Sequence, residues 1–319
     1  MTYREAGVDL DAADAHVAAI GPLVRKTWGS GVVGGFGGFA AGVTIPAQYE
    51  EPVLMLTTDG VGTKLDLARR ADRWDGVGFD LVAMCVDDLA AVGAAPIGFV
   101  DYMAVGELRP ERDRTIVDSI ARACAEAGCA LLGGETAEHP GVMDRDAVDL
   151  AGAAMGVVER GQAFDPATVE EGDVIIGLLS PNLRSNGFSL VRHVMDDGLD
   201  LEELLEPSVV YSPSVLAASR LIRSAAHITG GGLPGNLPRA LPEGLGALID
   251  TDTWEPPEIF TEIEGRGVPE EEMYRAFNMG IGFCVITRPA DAPELVDRLS
   301  AHDARVIGSV TAGHGARLK

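Results

Sequence analysis

Lysine is almost missing from this 319-residue chain: among its 25 basic residues only Lys26, Lys64 and Lys319 are lysines, and the rest are arginine. Basic charge of either kind is scarce beside 49 acidic residues, and the net charge is −24. Nucleic acid backbones bind to basic patches, so free nucleic acid is excluded as a partner. The carboxylates are spread along the chain and not gathered in a tail. Such a surface suits a medium rich in screening counterions, which points to a salt-adapted cytosol; the plainer alternative is an acidic protein whose lysine shortage is incidental. Cysteine is also sparse. Cys85, Cys124, Cys129 and Cys284 form no CxxC pair and have no histidine at metal spacing, so they read as buried thiols in a reducing compartment. No apolar run approaches the roughly 20 residues of a membrane helix, and Met1-Thr2-Tyr3-Arg4-Glu5 does not begin a signal peptide. The expectation is a soluble, cytoplasmic protein with no membrane partner. The P-loop pattern GxxxxGK[ST] is absent too, which removes the ordinary nucleotide-binding folds.

What is present is glycine, 40 residues of it, clustered between apolar runs. Length predicts two domains, and the punctuation divides the chain into an N-terminal segment 1–50, a domain 51–163 and a domain 164–319. Gly29 to Gly42 is half glycine and reads as a mobile loop without regular structure. Its Gly35-Phe36-Gly37-Gly38-Phe39-Ala40 fits GxGxxA, but no strand leads in and no helix pattern follows, so a dinucleotide site is rejected. Short apolar runs that end in polar turns predict strands at Val53 to Thr57, Leu81 to Val86, Ile97 to Val100 and Cys129 to Leu132, with a helix through Ile116, Ile120 and Cys124 that stops at Gly128. Further on, Val174 to Leu179, Gly280 to Thr287 and Arg305 to Thr311 read as strands. Phe188 to about Met195, Asn236 to Ala240 and Pro293 to His302 read as helices. The class is α/β, of the α+β type.

The strongest local signal is Asp59-Gly60-Val61-Gly62-Thr63-Lys64. Glycines let backbone amides approach an anion, an acid can hold a metal, and lysine supplies a compact charge, so phosphate and Mg²⁺ are implied together. The alternative is a tight turn with a solvated lysine. Asp59, Asp87, Asp88, Asp101 and Glu135 all stand near predicted strand ends. If those ends meet, their carboxylates need a divalent cation, and hard oxygen ligands favour Mg²⁺; otherwise they are the ordinary flanks of strands in an acidic protein. His227 precedes a triple glycine, where a second anion such as a ribose phosphate would fit, or it is a buried structural histidine. His139 reads as a loop residue without a chemical role, with a proton shuttle as the alternative, and no Ser/His/Asp arrangement emerges.

Taken in order, eleven segments resemble the aminoimidazole ribonucleotide synthetase family over nearly the whole chain. They include YREAGVDLDAAD from Tyr3, GGFGGF from Gly34, TDGVGTKLDLA from Thr58, DLVAMCVDDLAAVGA from Asp80, FVDY from Phe99 and GGETAEHPG from Gly133. In the second half they include SNGFSLVR from Ser185, LLEPSVVY from Leu204, AHITGGGLPGNLPRALP from Ala226 and MYRAFNMGIG from Met273. The resemblance implies two α/β domains, with N-terminal domains pairing in a homodimer around a shared β-barrel and ATP bound near that interface. It implies cyclisation of formylglycinamidine ribonucleotide by ATP, with ADP and phosphate released. Catalytic roles fall on Lys64, Asp59 and Glu135. Phosphate contacts fall on Gly60, Gly62, Thr63, Lys64, Gly133, Gly134 and Thr136, and Mg²⁺ on Asp59, Asp88 and Glu135. Substrate contacts fall on Ser185, Asn186, His227, Thr229, Gly230, Gly231 and Asn278.

Three positions depart from the family pattern. Asp87 stands where asparagine is usual, which adds charge beside the expected metal; Arg184 stands where histidine is usual; Gly235 stands where an acid is common. Relatives with the same ATP site are the rivals: formylglycinamidine ribonucleotide synthetase, thiamine monophosphate kinase, selenophosphate synthetase and the hydrogenase maturation dehydratase. The order of motifs favours the cyclising enzyme over these, and a non-catalytic nucleotide-binding subunit is the alternative from another class.

Overall fold

A computed structural model describes residues 9–194 and 200–319. The first residues of the YREAGVDLDAAD segment, and Met195 at the expected end of a helix, lie outside the described residues. The chain divides into two compact units: Met1–Leu89 with Ala95–Arg160 and Pro207–Val210, and Ala90–Ala94 with Gly161–Glu206 and Tyr211–Lys319. Residues 9–50 fall within the first of these units, and each unit captures a short excursion of the other's sequence.

In the first unit, helix α1 (Leu10–Lys26) starts where the Asp9 carboxylate accepts the backbone N–H groups of Asp11 and Ala12. The glycine-rich stretch is not wholly irregular, because β1 (Val32–Val33) and β2 (Gly42–Val43) pair antiparallel within it. Four strands follow, β3 (Pro52–Gly60), β4 (Ala95–Val105), β5 (Ala130–Glu138) and β6 (Val148–Glu159), in the sheet order β3-β6-β4-β5. β4 and β5 are parallel and the other neighbours antiparallel. Helices α2 (Lys64–Ala71), α3 (Val77–Ala91) and α4 (Pro110–Glu126) complete the unit.

Two sequence readings change here. Leu81 to Val86, expected as a strand, is the middle of α3, where every residue from Leu81 to Asp87 is buried. An element buried on all sides loses the periodicity that separates helix from strand, and only its 15-residue length betrays the helix. Conversely, Gly133 to Glu138 is not a loop after a strand; it is the second half of β5.

In the second unit, β7 (Val174–Leu179), β8 (Ser224–His227), β9 (Leu245–Ile249), β10 (Ile281–Thr287), β11 (Arg305–Ala312) and β12 (Ala316–Leu318) form a sheet in the order β12-β9-β11-β7-β10-β8. Ile175, Ala226, Ile249, Ile281, Ile286 and Ile307 share its core. Helix α5 (Phe188–Val194) follows the loop after β7. The helix expected at 236–240 begins earlier, at Gly232, and tightens into a 3₁₀ turn over Leu237–Ala240. Because β10 runs antiparallel to both β7 and β8, the loops after β7 and β8 and the loop before β10 meet at one end of the sheet.

Candidate functional site

In the first unit the register of the sheet decides which acids meet. Asp59 pairs with Gly152, Gly152 with Asp101, and Asp101 with Gly134, so the two aspartates lie in one row on one face. That face is the one covered by α3: Thr57, two residues before Asp59, donates to Asp88 Oδ2 at 3.3 Å, and the Cys85 thiol reaches the Gly152 carbonyl. Burial raises the Cys85 pKa, and the charges of Asp59 and Asp88 raise it further, which places both carboxylates around that sulfur. Asp59 also accepts the N–H of Gly60 at 2.7 Å. Burial pushes the Asp101 carboxyl up to about 7. A side chain at Gly134 would collide with it, since a Cβ there would lie 2.3 Å from Asp101 Oδ1.

Glu135 is the next residue along β5, in register with Tyr102, and so projects from the opposite face, where it is exposed. The expected convergence of Asp59, Asp88 and Glu135 is therefore half realised within one chain, and among the described residues no group of three His, Cys, Asp or Glu side chains is arranged to hold a metal. Asp87 was expected to add charge beside the metal. It is buried within α3, and its charge acts on Glu126, whose carboxyl is raised by burial and then by Asp87.

Lys64 departs furthest from the sequence reading. It is the first residue of α2 and is 1% exposed, so it is not a solvated turn lysine. Its Nζ lies 2.9 and 2.8 Å from the two Asp80 oxygens, and Asp80 Oδ1 also accepts the N–H and hydroxyl of Ser208 at 3.0 and 2.6 Å. A compact ammonium fits a closed site where a guanidinium would leave donors without acceptors, which accounts for lysine in a chain that otherwise uses arginine. Asp80 and Ser208 received no role from the sequence, although both lie inside the segments DLVAMCVDDLAAVGA and LLEPSVVY.

A cavity of about 830 Å³ opens between α1, the residues Gly35 to Ala41 and the strand segment Gly133 to Glu138, within the range of small-molecule sites. Asp101, Gly133, Gly134, Glu135 and Thr136 border it. Thr136 Oγ1 is 3.4 Å from Nε2 of buried His16, whose pKa is lowered chiefly by burial. Among the described residues no lysine or arginine lines this cavity.

In the second unit the meeting loops carry Arg184, Ser185, Asn186, His227, Thr229, Gly230, Gly231 and Asn278. Arg184 is buried and takes a left-handed backbone, φ 60°, at a cost of roughly 1–2 kcal/mol. Its N–H donates to Asn182 Oδ1 at 2.8 Å, and its guanidinium to His227 Nε2 at 2.7 Å. The Asn236 amide gathers the carbonyls of Thr229, Gly230 and Gly232, and Thr229 Oγ1 is 3.4 Å from Asn236 Oδ1. Gly232 is obligatory: its φ is 57°, and a Cβ would stand 2.0 Å from the Tyr274 carbonyl. Gly230 faces solvent near Asn186, and Gly235 is exposed. Asn278, expected to touch substrate, is spent on the fold. It is 3% exposed, donates to the Asn182 carbonyl and accepts the N–H of Gly280.

Two family models match, the AIR synthase related protein N-terminal domain over residues 39–158 and the AIR synthase related protein C-terminal domain over residues 170–319. A phosphoribosylformylglycinamidine cyclo-ligase of Anaeromyxobacter sp. strain K is 47% identical, over 98% of this chain and 96% of its own. One of Xanthomonas oryzae pv. oryzae is 46% identical over 99% and 98%. Among solved structures, thiamine-monophosphate kinase of Stenotrophomonas maltophilia aligns at TM-score 0.67 and 20% identity over 98% of this chain and 97% of that one. E. coli HypE, a hydrogenase maturation protein, aligns at 0.67 and 18% over 94% and 92%. These two establish a shared fold and no more. With both halves matched and close to half of all positions identical along its length, the chain belongs to the AIR synthase related family.

Proposed function

We propose that this chain catalyses the ATP-dependent closure of formylglycinamidine ribonucleotide to 5-aminoimidazole ribonucleotide, a step of purine biosynthesis, in the cytoplasm. The observation that carries this is the 46–47% identity to phosphoribosylformylglycinamidine cyclo-ligases over 98–99% of the chain. An amide oxygen leaves poorly, so ATP first phosphorylates it. The amidine nitrogen of the same molecule then attacks that carbon, the five-membered ring closes and phosphate departs, with rate gained from held orientation.

The residues fit these demands unevenly. Gly62, Gly133 and Gly134 offer backbone amides close to the cavity or to the row of acids, as a phosphate requires, while the Gly60 N–H is held by Asp59. Asp59 and Asp88, on one face, suit Mg²⁺, which takes one or two carboxylates and completes its shell with water and phosphate oxygens. Bound there, it would neutralise charge on the transferring phosphoryl. Glu135 lies on the outer face with Leu54, Leu56, Val100 and Tyr102, which are 46%, 77%, 42% and 44% exposed. That apolar sheet face is what a second copy of the chain would cover, and a homodimer is the assembly in which Glu135 joins the site. Lys64, paired with Asp80, supports the segment after Asp59.

The test is ADP release dependent on formylglycinamidine ribonucleotide, assayed in molar KCl alongside formation of the aminoimidazole product. ATP binding without release would leave a non-catalytic nucleotide-binding subunit. Release driven by thiamine monophosphate would move the chain to kinase chemistry.

A further inference from the structure

Arg184 and His227 form a buried pair whose chemistry has one solution. A guanidinium carries only donors, so the His227 Nε2 at 2.7 Å must accept, and the imidazole proton resides on Nδ1. The same guanidinium nitrogen donates to the Gly282 carbonyl at 3.2 Å, and that carbonyl also accepts the N–H of Ile228 at 3.0 Å. Arg184 therefore braces the side chain of His227 and the backbone of the residue that follows it. The guanidinium lies over the Tyr211 ring, 4.9 Å from its centre, and the Tyr211 hydroxyl is tied to the Leu179 carbonyl. His227 is stacked on Phe283, its register partner in β10, with ring centres 6.1 Å apart and 27° between planes. A left-handed, non-glycine residue is retained at 184 because these contacts over-determine it.

We infer that Arg184 is a positioning residue: it fixes His227 in the Nδ1–H tautomer and anchors the start of the Ile228 to Gly232 loop, so that the loop is set for a ribonucleotide substrate. This rests on the proposed function for the identity of the ligand, whereas the paired geometry does not. The substrate loop begins at Ile228, so the effect falls on ribonucleotide binding and not on ATP, whose proposed contacts lie in the first unit.

The experiment has two arms on the full-length chain. Imidazole ¹⁵N NMR, with the His227 signal among the six histidines assigned by its loss in His227→Gln, should show the Nδ1–H tautomer in the wild type. It should show a mixture in Arg184→Met and in Arg184→Lys, which cannot span His227 and Gly282 together. An Nε2–H tautomer in the wild type, or a tautomer unmoved by both substitutions, overturns the pairing. In steady-state kinetics both Arg184 variants should raise KM for formylglycinamidine ribonucleotide at least tenfold with KM for ATP unchanged. His227→Gln, whose amide oxygen can accept at the Nε2 position, should raise KM for the ribonucleotide several-fold less than His227→Leu does, and His227→Leu should match the arginine variants. Equal KM effects for both substrates, or no rescue by glutamine, overturn the positioning role. The NMR arm needs no substrate, so a wild type with the expected tautomer and no turnover sinks the proposed reaction and not the pair.

Discussion

Replacing Lys64 by methionine removes one ammonium and keeps most of the volume. The ion pair it leaves behind is 1% and 0% exposed at its two side chains, with both Asp80 oxygens within 2.9 Å of Nζ. Breaking a buried pair from one side costs about 3–5 kcal/mol, because the remaining charge stays desolvated. Ser208 still donates twice to Asp80, which places the expected loss near the lower end, about 3 kcal/mol. For a unit of this size each kcal/mol lowers the melting temperature by roughly 2–4 °C, so a fall of about 6–12 °C is expected by calorimetry. Neutralising the partner as well, in Lys64→Met with Asp80→Asn, should recover most of the loss, giving a coupling of at least about 2 kcal/mol in the double-mutant cycle. The drop should persist in molar KCl, because salt screens a buried pair poorly. A Lys64→Met protein that melts within 2 °C of wild type, or a cycle without coupling, would refute the structural role. The sequence reading expects loss of turnover from an intact fold; the buried pair instead predicts that the fold weakens first.

Two further outcomes follow from the first unit. Asp101 has a folded pKa of about 7 against an ordinary value of 3.8. Its protonated form favours folding, and that contribution is complete below pH 3.8 and is lost as pH rises through 7. Asp101→Asn should therefore flatten the decline in melting temperature between about pH 5 and 8 and be the more stable protein at pH 8; a parallel decline in both would exclude Asp101 as its source. Leu56→Asp, on the exposed apolar sheet face, should shift the mass measured by light scattering from dimer to monomer and abolish turnover. A wild type that is already monomeric at micromolar concentration would remove the proposed assembly.

Much of the strand framework was legible. Val174 to Leu179 is a strand as read, and Val53 to Thr57 and Arg305 to Thr311 lie inside longer ones, because half-buried strands and turn-bounded apolar runs leave local marks. Leu81 to Val86 was misread because a helix buried all round and a buried strand share one signature. Among site residues, the sequence marked Asp59, Asp88 and His227 as candidates, and Arg184 only as a departure from the family pattern. It had no means of showing that Glu135 faces away from Asp59, since face depends on register with Tyr102, nor that Lys64 meets Asp80, 16 residues away, and through it Ser208, a further 128.

By itself, then, the sequence determined membership: the order of glycine-rich turns, acids and apolar runs is a linear property, and linear comparison reads it. It also determined the charge balance. The tertiary structure alone decided which charges pair with one another inside the fold. A lysine in a glycine-rich turn looks the same in sequence whether it meets a phosphate or a buried carboxylate, and only packing, by removing water from around Lys64 and Asp80, settles that choice.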